Sequence, residues 1–343
     1  MAQTVSFDIT PEREASKLQF LRRQFSGGVP ALSRLDAHLG GRTAIVTGAN
    51  GGIGLECSRQ LLDLGLTRLI LAVRDEAKGE ATRQALTATG TALEPGQTVE
   101  VWKLDYASYE SVTAFAQRVE HLSPRLDIAI LNAGVNRGCS ARNPTTGHEE
   151  DLQTNYLSTA LLVLLLLRVF KKAQSAANPP SPSPSPSLSP GRIVVVSSDT
   201  AAWAKFDEKK QEPLLQAFDN EAGWDKISRA ATPPPSSWAS CSLVPPSLAV
   251  VNCASPGLCY GSGLGRELGL ATAVFIRTVG RSAAVGARTL VHAAAKMDES
   301  SHGQYVEDGK LRPWRRGNVE ILQDIDLAFP GLQERNWRIS EAT

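Results

Sequence analysis

Short apolar runs alternate with amphipathic stretches along the chain from residue 43 onward. The runs "TAIVT", "RLILAV", "VEVWKL", "DIAIL", "RIVVVS" and "LAVVNCA" are rich in β-branched side chains, which is typical of strands buried on both faces. Helical stretches separate them, and a helix between two such strands is the usual crossover of a parallel sheet. The pattern therefore predicts an α/β protein with a parallel sheet covered by helices on both faces.

The first forty residues precede this pattern and contain none of these strand-like runs. The sequence "TPE" at 10–12 predicts the start of a helix, because a capping threonine and a proline suit the first turn. Leu18, Leu21 and Phe25 then recur at helical spacing. We expect residues 1–40 to form a helical extension that packs on the main body through this apolar face.

One long apolar run, "YLSTALLVLLLLRVF" at 156–170, stands out from the rest of the chain. At about fifteen residues it is too short to cross a bilayer comfortably, so we interpret it as a buried helix. The N-terminal stretch "MAQTVSFDITPERE" lacks the apolar core of a secretory signal. These features predict a cytoplasmic protein without a membrane span.

The stretch "SAANPPSPSPSPSLSPG" at 175–191 is rich in proline and serine and cannot build a helix or a core. It lies between a helical stretch and the strand "RIVVVS", so it lengthens a connection without dividing the domain. We interpret it as a tolerated loop, with phosphorylation or docking as the alternative. The expected organisation is the 1–40 extension, one domain over 41–320 and a tail over 321–343.

The charge of the chain is nearly balanced, with 36 basic and 35 acidic residues and a formal net charge of +1. This balance gives no electrostatic reason to expect nucleic acid or an anionic membrane as a partner. The five cysteines are odd in number and show no metal-ligand spacing, so we expect neither a disulfide framework nor a metal site. A small molecule is the expected partner.

A glycine-rich loop occurs in "TAIVTGANGGIGLECSRQLLDLG", where Gly48, Gly52 and Gly54 lie between a predicted strand and a predicted helix. Positions without side chains let backbone N–H groups and the helix N-terminus approach a pyrophosphate. The strand before, the helix after and the next strand at the right distance predict a dinucleotide site, with Asn50 and Ile53 in the same loop. A plain turn is the alternative.

This glycine spacing resembles that of the short-chain dehydrogenase/reductase family, and further motifs similar to those of the family follow in order. They are "LNAG" at 131–134, "LQTNYLSTALL" around Asn155, "RIVVVSSDTA" with Ser198, and "NCASPGL" with Pro256 and Gly257. The similarity runs from about residue 43 to residue 309 and is greatest to the branch that includes retinol dehydrogenases. It implies one doubly wound domain, the Rossmann fold, with a seven-stranded, mostly parallel sheet and a site at the carboxyl ends of the strands.

The resemblance also implies a nicotinamide cofactor. Arg74 follows the second strand, where an NAD-specific site carries an acidic residue, and a guanidinium there favours the 2′-phosphate of NADP. We therefore expect NADP in preference to NAD, the alternative being an ordinary solvated arginine. Asp105 resembles the residue that the family places at the adenine ring, the alternative being an exposed loop aspartate. The expected cofactor-binding residues are Gly48, Asn50, Gly52, Ile53, Gly54, Arg74, Asp105, Asn132, Ala133, Gly134, Pro256 and Gly257.

In this family a tyrosine supplies the proton and a lysine four residues later lowers its pKa, while a serine bonds the substrate oxygen and an asparagine holds a water. Ser198 and Asn155 match the serine and the asparagine. The alternatives are a serine that caps a turn and an asparagine that bonds backbone. The tyrosine and lysine are missing, because none of the five tyrosines is followed four residues later by lysine.

The stretch "RAATPPPSSWASCSL" at 229–243 stands where the helix with that tyrosine belongs, and its three consecutive prolines do not fit inside a helix. One permitted back-translation of residues 231–243, read from its third base, spells Tyr-Ala-Thr-Ser-Lys-Leu-Leu-Gly-Gln-Leu-Phe-Leu. This is the missing motif followed by an apolar helical pattern. We interpret segment 229–247 as the result of a shifted reading frame, arising from a mutation, altered splicing or a gene-model error.

The resemblance implies an oxidoreductase that transfers a hydride between NADP(H) and a lipophilic alcohol or carbonyl compound. Trp203, Phe206, Trp224 and Tyr260 fall in segments that flank the site in relatives and would line an apolar pocket, with core packing as the alternative. A homodimer is also implied, although segment 229–247 would weaken it. The competing hypotheses are a non-catalytic NADP-binding pseudoenzyme and a chain that does not fold stably.

Overall fold

The structure, a computed structural model, describes residues 7–88, 93–137, 139–177, 189–203, 217–219, 244–265 and 269–313. Several sequence predictions fall outside the described residues: most of the Pro/Ser insert, most of segment 229–247, the 321–343 tail, and the aromatic residues Phe206 and Trp224. These stay predictions.

A large sheet organises the described part of the chain. Its strands and one short separate pair are, in chain order, β1 (Thr43–Thr47), β2 (Arg68–Val73), β3 (Thr98–Lys103), β4 (Ile128–Leu131), β5 (Gly191–Val196), β6 (Ala249–Ser255), β7 (Cys259–Tyr260), β8 (Arg281–Ser282), β9 (Tyr305–Glu307) and β10 (Lys310–Arg312). The sheet has the order β10-β9-β6-β5-β4-β1-β2-β3, and β7 pairs with β8 outside it. This order, with the chain reversing direction across the sheet between β1 and β4, confirms the predicted doubly wound fold.

Seven strands of the sheet run parallel, as expected, and β10 adds an eighth strand antiparallel to β9. The two strands are joined by Asp308 and Gly309, whose φ angles are 51° and 68°. Two left-handed residues in succession are what a tight two-residue hairpin requires. The eighth strand was not predicted because β9 and β10 are three residues long each and mostly polar or charged.

Helices cover both faces of the sheet. They are α1 (Pro11–Glu14), α2 (Lys17–Ser26), α3 (Gly52–Asp63), α4 (Glu76–Thr87), α5 (Tyr109–Glu120), α6 (Glu150–Leu152), α7 (Ser158–Ala177), α8 (Gly269–Val279) and α9 (Ala283–Ala295). Helices α5 and α7 share one buried cluster with Ile45, and α3 and α9 share the other with Val46. Because alternate side chains of a strand point to opposite faces, β1 contributes to both cores.

The long apolar run at 156–170 is a buried helix, as predicted. It forms most of α7, and Leu162, Leu166 and Phe170 are almost fully buried against the sheet. Among the described residues, no helix has the length and apolar character needed to cross a membrane.

The N-terminal extension contains two helices, not one, and the predicted packing face is wrong. Helices α1 and α2 each have their own side-chain cap, Thr10 and Ser16. Leu18, Leu21 and Phe25 are 78%, 39% and 67% exposed, whereas Phe20, Arg23 and Gln24 are buried. The extension lies against polar backbone and carboxylate groups at the carboxyl ends of the strands. Arg23 and Gln24, which can bond these groups, therefore occupy the buried face.

Candidate functional site

The glycine loop between β1 and α3 has the backbone that an anion site requires. Gly48 and Gly52 have φ angles of 65° and 55°, in the region that favours glycine. Gly51, at the N-cap of α3, provides no side-chain cap, and the first turn of α3 contains no acidic residue. The N–H groups of this turn therefore lack a side-chain acceptor and can donate to a phosphate. Asn50 is exposed and Ile53 is half-buried in the same loop.

The loop is packed tightly against the ends of two strands. A Cβ on Gly54 would lie 2.5 Å from the carbonyl oxygen of Gly48 and 2.7 Å from Nδ2 of Asn132. Asn132 Nδ2 donates to the Thr47 carbonyl (3.0 Å), and the Ala133 N–H donates to Thr47 Oγ1 (2.9 Å). These contacts join the carboxyl ends of β1 and β4 beneath the loop. This close packing leaves no room for a Cβ on Gly54 and fixes the shape of the loop, whose backbone fits the pyrophosphate of a dinucleotide.

Arg74 and Asp105 lie after β2 and β3, on the same side of the sheet as the glycine loop. Arg74 is exposed. Asp105 is half-buried, and its Oδ1 accepts from the Ala107 N–H at 3.0 Å. The Asp105 carboxylate thus shapes its own loop through Oδ1, and no hydrogen bond joins its second oxygen to the described residues.

Asn155 lies in a π-helical turn, Gln153–Leu157, between α6 and α7. Its Oδ1 accepts from the Val135 N–H (2.8 Å) and its Nδ2 donates to the Val135 carbonyl (2.9 Å). A Cβ on Gly134 would lie 3.1 Å from the same Oδ1. Asn155 therefore fixes the turn that follows β4, which bears the Asn132–Gly134 motif. Such π-turns are rare and concentrate at functional sites.

Ser198 follows β5 and begins a 3₁₀ turn, Asp199–Trp203. Its Oγ lies 2.8 Å from Thr200 Oγ1 and accepts from the Thr200 N–H at 3.2 Å. The hydroxyl is half-buried and caps the turn, which was the alternative interpretation of this serine. A hydroxyl has one donor and two acceptor sites, so capping leaves it able to bond a substrate oxygen as well.

Pro256 and Gly257 form the turn after β6, the strand that pairs with β5. Gly257 has a φ angle of 72°, and its N–H donates to Ser255 Oγ at 3.2 Å. Because β5 and β6 run parallel, the turn lies at the same end of the strands as Ser198. The structure brings the glycine loop, Asn155, Ser198 and the Pro256–Gly257 turn to the carboxyl ends of four central strands.

A group of buried charged side chains next to Ser198 was missed from the sequence. Arg23 lies 2.9 Å from a carboxylate oxygen of Glu14, 3.1 Å from one of Glu307 and 4.0 Å from one of Asp199. Burial is the main cause that raises the pKa of Glu307, and repulsion from Asp199 is the second cause. Burial also raises the pKa of Asp199. Asp199 directly follows Ser198 in a motif, but Glu14, Arg23 and Glu307 lie outside the recognised motifs and in distant parts of the chain. No local sequence signal could therefore have found the group.

The aromatic residues predicted to line a pocket have different environments. Trp203 packs edge-to-face on Phe20, with ring centroids 5.2 Å apart, and its Nε1 donates to the Ala15 carbonyl (2.7 Å). Tyr260 is half-buried, with the Arg277 guanidinium 5.3 Å from its ring centroid. Trp203 therefore anchors the extension, in keeping with the packing alternative.

Three of the five tyrosines are poor replacements for the missing proton donor. Burial raises the pKa of Tyr106 and of Tyr109 to about 12, and it raises that of Tyr305 well above its ordinary value. A phenol with so high a pKa is a poor acid near neutral pH.

Comparison with known proteins identifies the class. The family model described as short chain dehydrogenase matches residues 42–206. "Short-chain dehydrogenase fogG" of Aspergillus ruber is 43% identical, covering 96% of this chain and 97% of the relative. "Short chain dehydrogenase opdN" of Penicillium oxalicum is 41% identical, covering 88% and 97%. The chain belongs to the short-chain dehydrogenase/reductase family, a family of oxidoreductase enzymes.

Solved structures agree on the fold. A short-chain type dehydrogenase/reductase from Mycobacterium marinum superposes with a TM-score of 0.58 at 18% identity, covering 80% of this chain and 97% of that structure. A likeness at this identity concerns the fold, and it matches the doubly wound sheet described above.

Proposed function

We propose that the protein transfers a hydride between NADP(H) and a lipophilic alcohol or carbonyl compound. The observation that carries the proposal is the packing of the glycine loop, in which Gly54 approaches Gly48 so closely that a Cβ would lie 2.5 Å from its carbonyl oxygen. The packing brings the N-terminus of α3 close to the end of β1, where its backbone N–H groups can bond an anionic ligand. The pyrophosphate of a dinucleotide is that ligand in this family.

The surroundings of Arg74 support NADP over NAD. Arg74 is exposed at the carboxyl end of β2 and can reach a ligand. The neighbouring acid, Asp75, accepts from the Lys78 N–H at 3.1 Å as the N-cap of α4. A carboxylate engaged as a cap is less available for the ribose hydroxyls of NAD, while the exposed Arg74 guanidinium suits a 2′-phosphate.

The dinucleotide would supply the hydride, and the protein would hold it through the glycine loop, Asp105 and the Pro256–Gly257 turn. Ser198 would bond the substrate oxygen through the site that capping leaves open. Asn155 would bond a water through the second lone pair of Oδ1, because Val135 takes the first. Both residues orient oxygen atoms and neither is an acid that readily releases a proton near neutral pH.

Turnover in this proposal requires the tyrosine and lysine that a frame-restored 231–243 segment would contain. The relatives reported above are named as dehydrogenases and give no support to the alternative of a non-catalytic pseudoenzyme. The retinol-dehydrogenase branch, a homodimer and a cytoplasmic location stay predictions from the sequence.

Apolar side chains near the end of β6 support a lipophilic substrate. Leu264 is 47% exposed, and on α8 Val274 and Phe275 are 55% and 50% exposed. All three follow the Pro256–Gly257 turn in the chain, where an apolar compound would lie if it approached the nicotinamide end of the cofactor.

Titration of the protein with NADPH, followed by nicotinamide fluorescence, tests the proposal. We expect the unmutated protein and Gly28→Val to bind NADPH, because a Cβ on Gly28 meets no atom within 4 Å. Gly54→Val should lose most of this affinity while circular dichroism shows a folded protein, since its side chain would push Gly48 and Asn132 away and deform the loop that would hold the phosphates. An unmutated protein that does not bind NADPH would overturn the proposal.

A further inference from the structure

Helix α2 bonds the turn that follows β6 directly. Gln24 Nε2 donates to the Leu258 carbonyl at 2.7 Å, and Gln24 Oε1 accepts from the Leu258 N–H at 3.3 Å. The same carbonyl also accepts from the Arg281 N–H at 2.8 Å. One side chain of the N-terminal extension therefore bonds both backbone groups of the residue next to the Pro256–Gly257 turn.

The fit at this turn is close. A Cβ on Gly257 would lie 3.2 Å from Gln24 Oε1 and 3.4 Å from Arg281 Cζ. Arg281 in turn donates to the Arg23 carbonyl (2.7 Å) and pairs with Asp308 at 2.5 Å. Arg281 thus joins α2 to the same turn that Gln24 bonds, since it contacts both the Arg23 carbonyl and the Leu258 carbonyl.

The same helix also contacts the Asp199–Trp203 turn that follows Ser198. Phe20 packs on Trp203, the last residue of that turn, and Arg23 lies 4.0 Å from Asp199, its first residue. Helix α2 therefore bridges the turns at the ends of β5 and β6. In the proposed function, Ser198 at the end of β5 would bond the substrate oxygen, and the Pro256–Gly257 turn at the end of β6 would lie beside the nicotinamide.

We propose that Gln24 is a positioning residue that holds the Pro256–Gly257 turn in register with Ser198, so that the nicotinamide end of the cofactor is fixed against the substrate. This inference rests on the proposed function. Its physical reason is that two neighbouring strand ends are joined here by side chains of one rigid helix, and small displacements at a reacting centre are costly. The hydrogen bonds of Gln24 go to Leu258, not to the glycine loop or Arg74, which would hold the adenosine end of the cofactor.

The test compares two ligands on three variants of the full chain. NADPH contains the nicotinamide, whereas adenosine 2′,5′-bisphosphate contains only the adenosine end. Gln24→Met keeps the length of the side chain but removes both hydrogen bonds to Leu258. The Leu258 carbonyl still accepts from the Arg281 N–H, whereas the Leu258 N–H loses its acceptor. Gln24→Glu retains an oxygen acceptor for that N–H. Leu18→Ala, on the same helix and 78% exposed, is the matched control.

We expect Gln24→Met to weaken NADPH binding about three- to tenfold, the scale of the one bond, from the Leu258 N–H, that Arg281 does not replace, and to leave adenosine 2′,5′-bisphosphate binding unchanged. Gln24→Glu should recover part of the loss, and Leu18→Ala should behave as the unmutated protein. Hydrogen exchange at residues 255–260 should rise in Gln24→Met without any ligand.

Three results would overturn the inference. If Gln24→Met and Leu18→Ala bind NADPH equally well, Gln24 does not position the turn. If Gln24→Met weakens both ligands equally, its role is merely structural. If the unmutated protein binds neither ligand, the proposed function fails and this inference fails with it. This outcome is seen in the unmutated protein, whereas failure of the inference alone is seen only in the variants.

Discussion

Both carboxylate oxygens of Asp151 lie within hydrogen-bonding distance of the Arg137 backbone nitrogen, at 3.3 and 3.2 Å. Asp151 is 1% exposed, and it contacts the loop that continues from the Asn132–Gly134 motif. Burial, and then repulsion from Glu149, raises its pKa to about 7, although the Arg137 N–H lowers it in part. The loop beside the candidate site is therefore held by a group that changes charge near neutral pH.

We predict that this carboxyl makes the protein less stable as the pH rises. Because its folded pKa lies above the ordinary value of 3.8, the folded state binds the proton more tightly than the unfolded state. Its contribution is complete below the ordinary pKa and is lost as the pH rises through about 7. Asp151→Asn cannot titrate, so its unfolding free energy relative to the unmutated protein should increase between about pH 4 and pH 7, by at most about 1.4 kcal/mol per unit.

Urea unfolding at a series of pH values measures this difference. Glu110→Gln, at an exposed position in the first turn of α5, is the control and should follow the unmutated protein in parallel. A difference between Asp151→Asn and the unmutated protein that stays constant with pH would contradict the prediction.

The second prediction concerns the choice of cofactor. If the Arg74 guanidinium meets the 2′-phosphate, Arg74→Asp should weaken NADPH binding by about 2 kcal/mol or more, through loss of a charge-assisted pair and added repulsion. NADH binding should fall less or improve, because an acid at this position suits the ribose hydroxyls. Fluorescence titration with both cofactors measures the ratio of affinities.

Lys310→Asp makes the same change of charge on β10, at the opposite edge of the sheet from β2 and β3. It should leave both affinities unchanged, which separates local contact from overall charge. Equal affinities of the unmutated protein for NADH and NADPH would show that Arg74 does not select the cofactor.

The central strands could be predicted because strands buried on both faces leave a continuous apolar run in the sequence, as β1 and β2 do. The positions of Gly48, Asn155 and Ser198 followed from motifs at strand and helix ends. The π-turn around Asn155 could not be predicted, because one inserted residue barely changes a helical pattern.

The apolar spacing in α2 gave the wrong face for a physical reason. Leu18, Leu21 and Phe25 form an apolar stripe that is exposed. The buried face of α2 is set by two polar residues: Arg23 pairs with Glu307, and Gln24 bonds Leu258. Both partners lie more than 200 residues later in the chain. Hydrophobic periodicity contains no information about such distant polar partners. For the same reason, the sequence did not indicate Gln24 as a residue of the candidate site.

A third prediction is that the Pro/Ser insert contributes little to stability. Deletion of residues 181–188 retains Ser189, whose carbonyl accepts from Arg125 Nη2 at 2.5 Å. Since the cost of loop closure varies slowly with length, the unfolding free energy should change by less than about 1 kcal/mol. Chemical denaturation measures it, and a loss of several kcal/mol would show that the insert docks on the domain.

The last prediction concerns segment 231–243. The chain with this segment should bind NADPH but turn over poorly, because Ser198 and Asn155 orient oxygen atoms and the described tyrosines at positions 106, 109 and 305 have raised pKa values. Replacing the segment by Tyr-Ala-Thr-Ser-Lys-Leu-Leu-Gly-Gln-Leu-Phe-Leu should increase turnover by about 10²- to 10⁴-fold, the usual contribution of a positioned general acid.

The measurement uses NADPH with a panel of aromatic and aliphatic carbonyl compounds, and a replacement carrying phenylalanine in place of the tyrosine is the matched control. That control keeps the apolar helix but lacks the phenolic proton, so it should regain stability without regaining turnover. If the control and the full replacement turn over equally, the new helix acts through folding alone. Comparable turnover by the unreplaced chain would show that another residue supplies the proton, because Ser198 and Asn155 have no group acidic enough to do so.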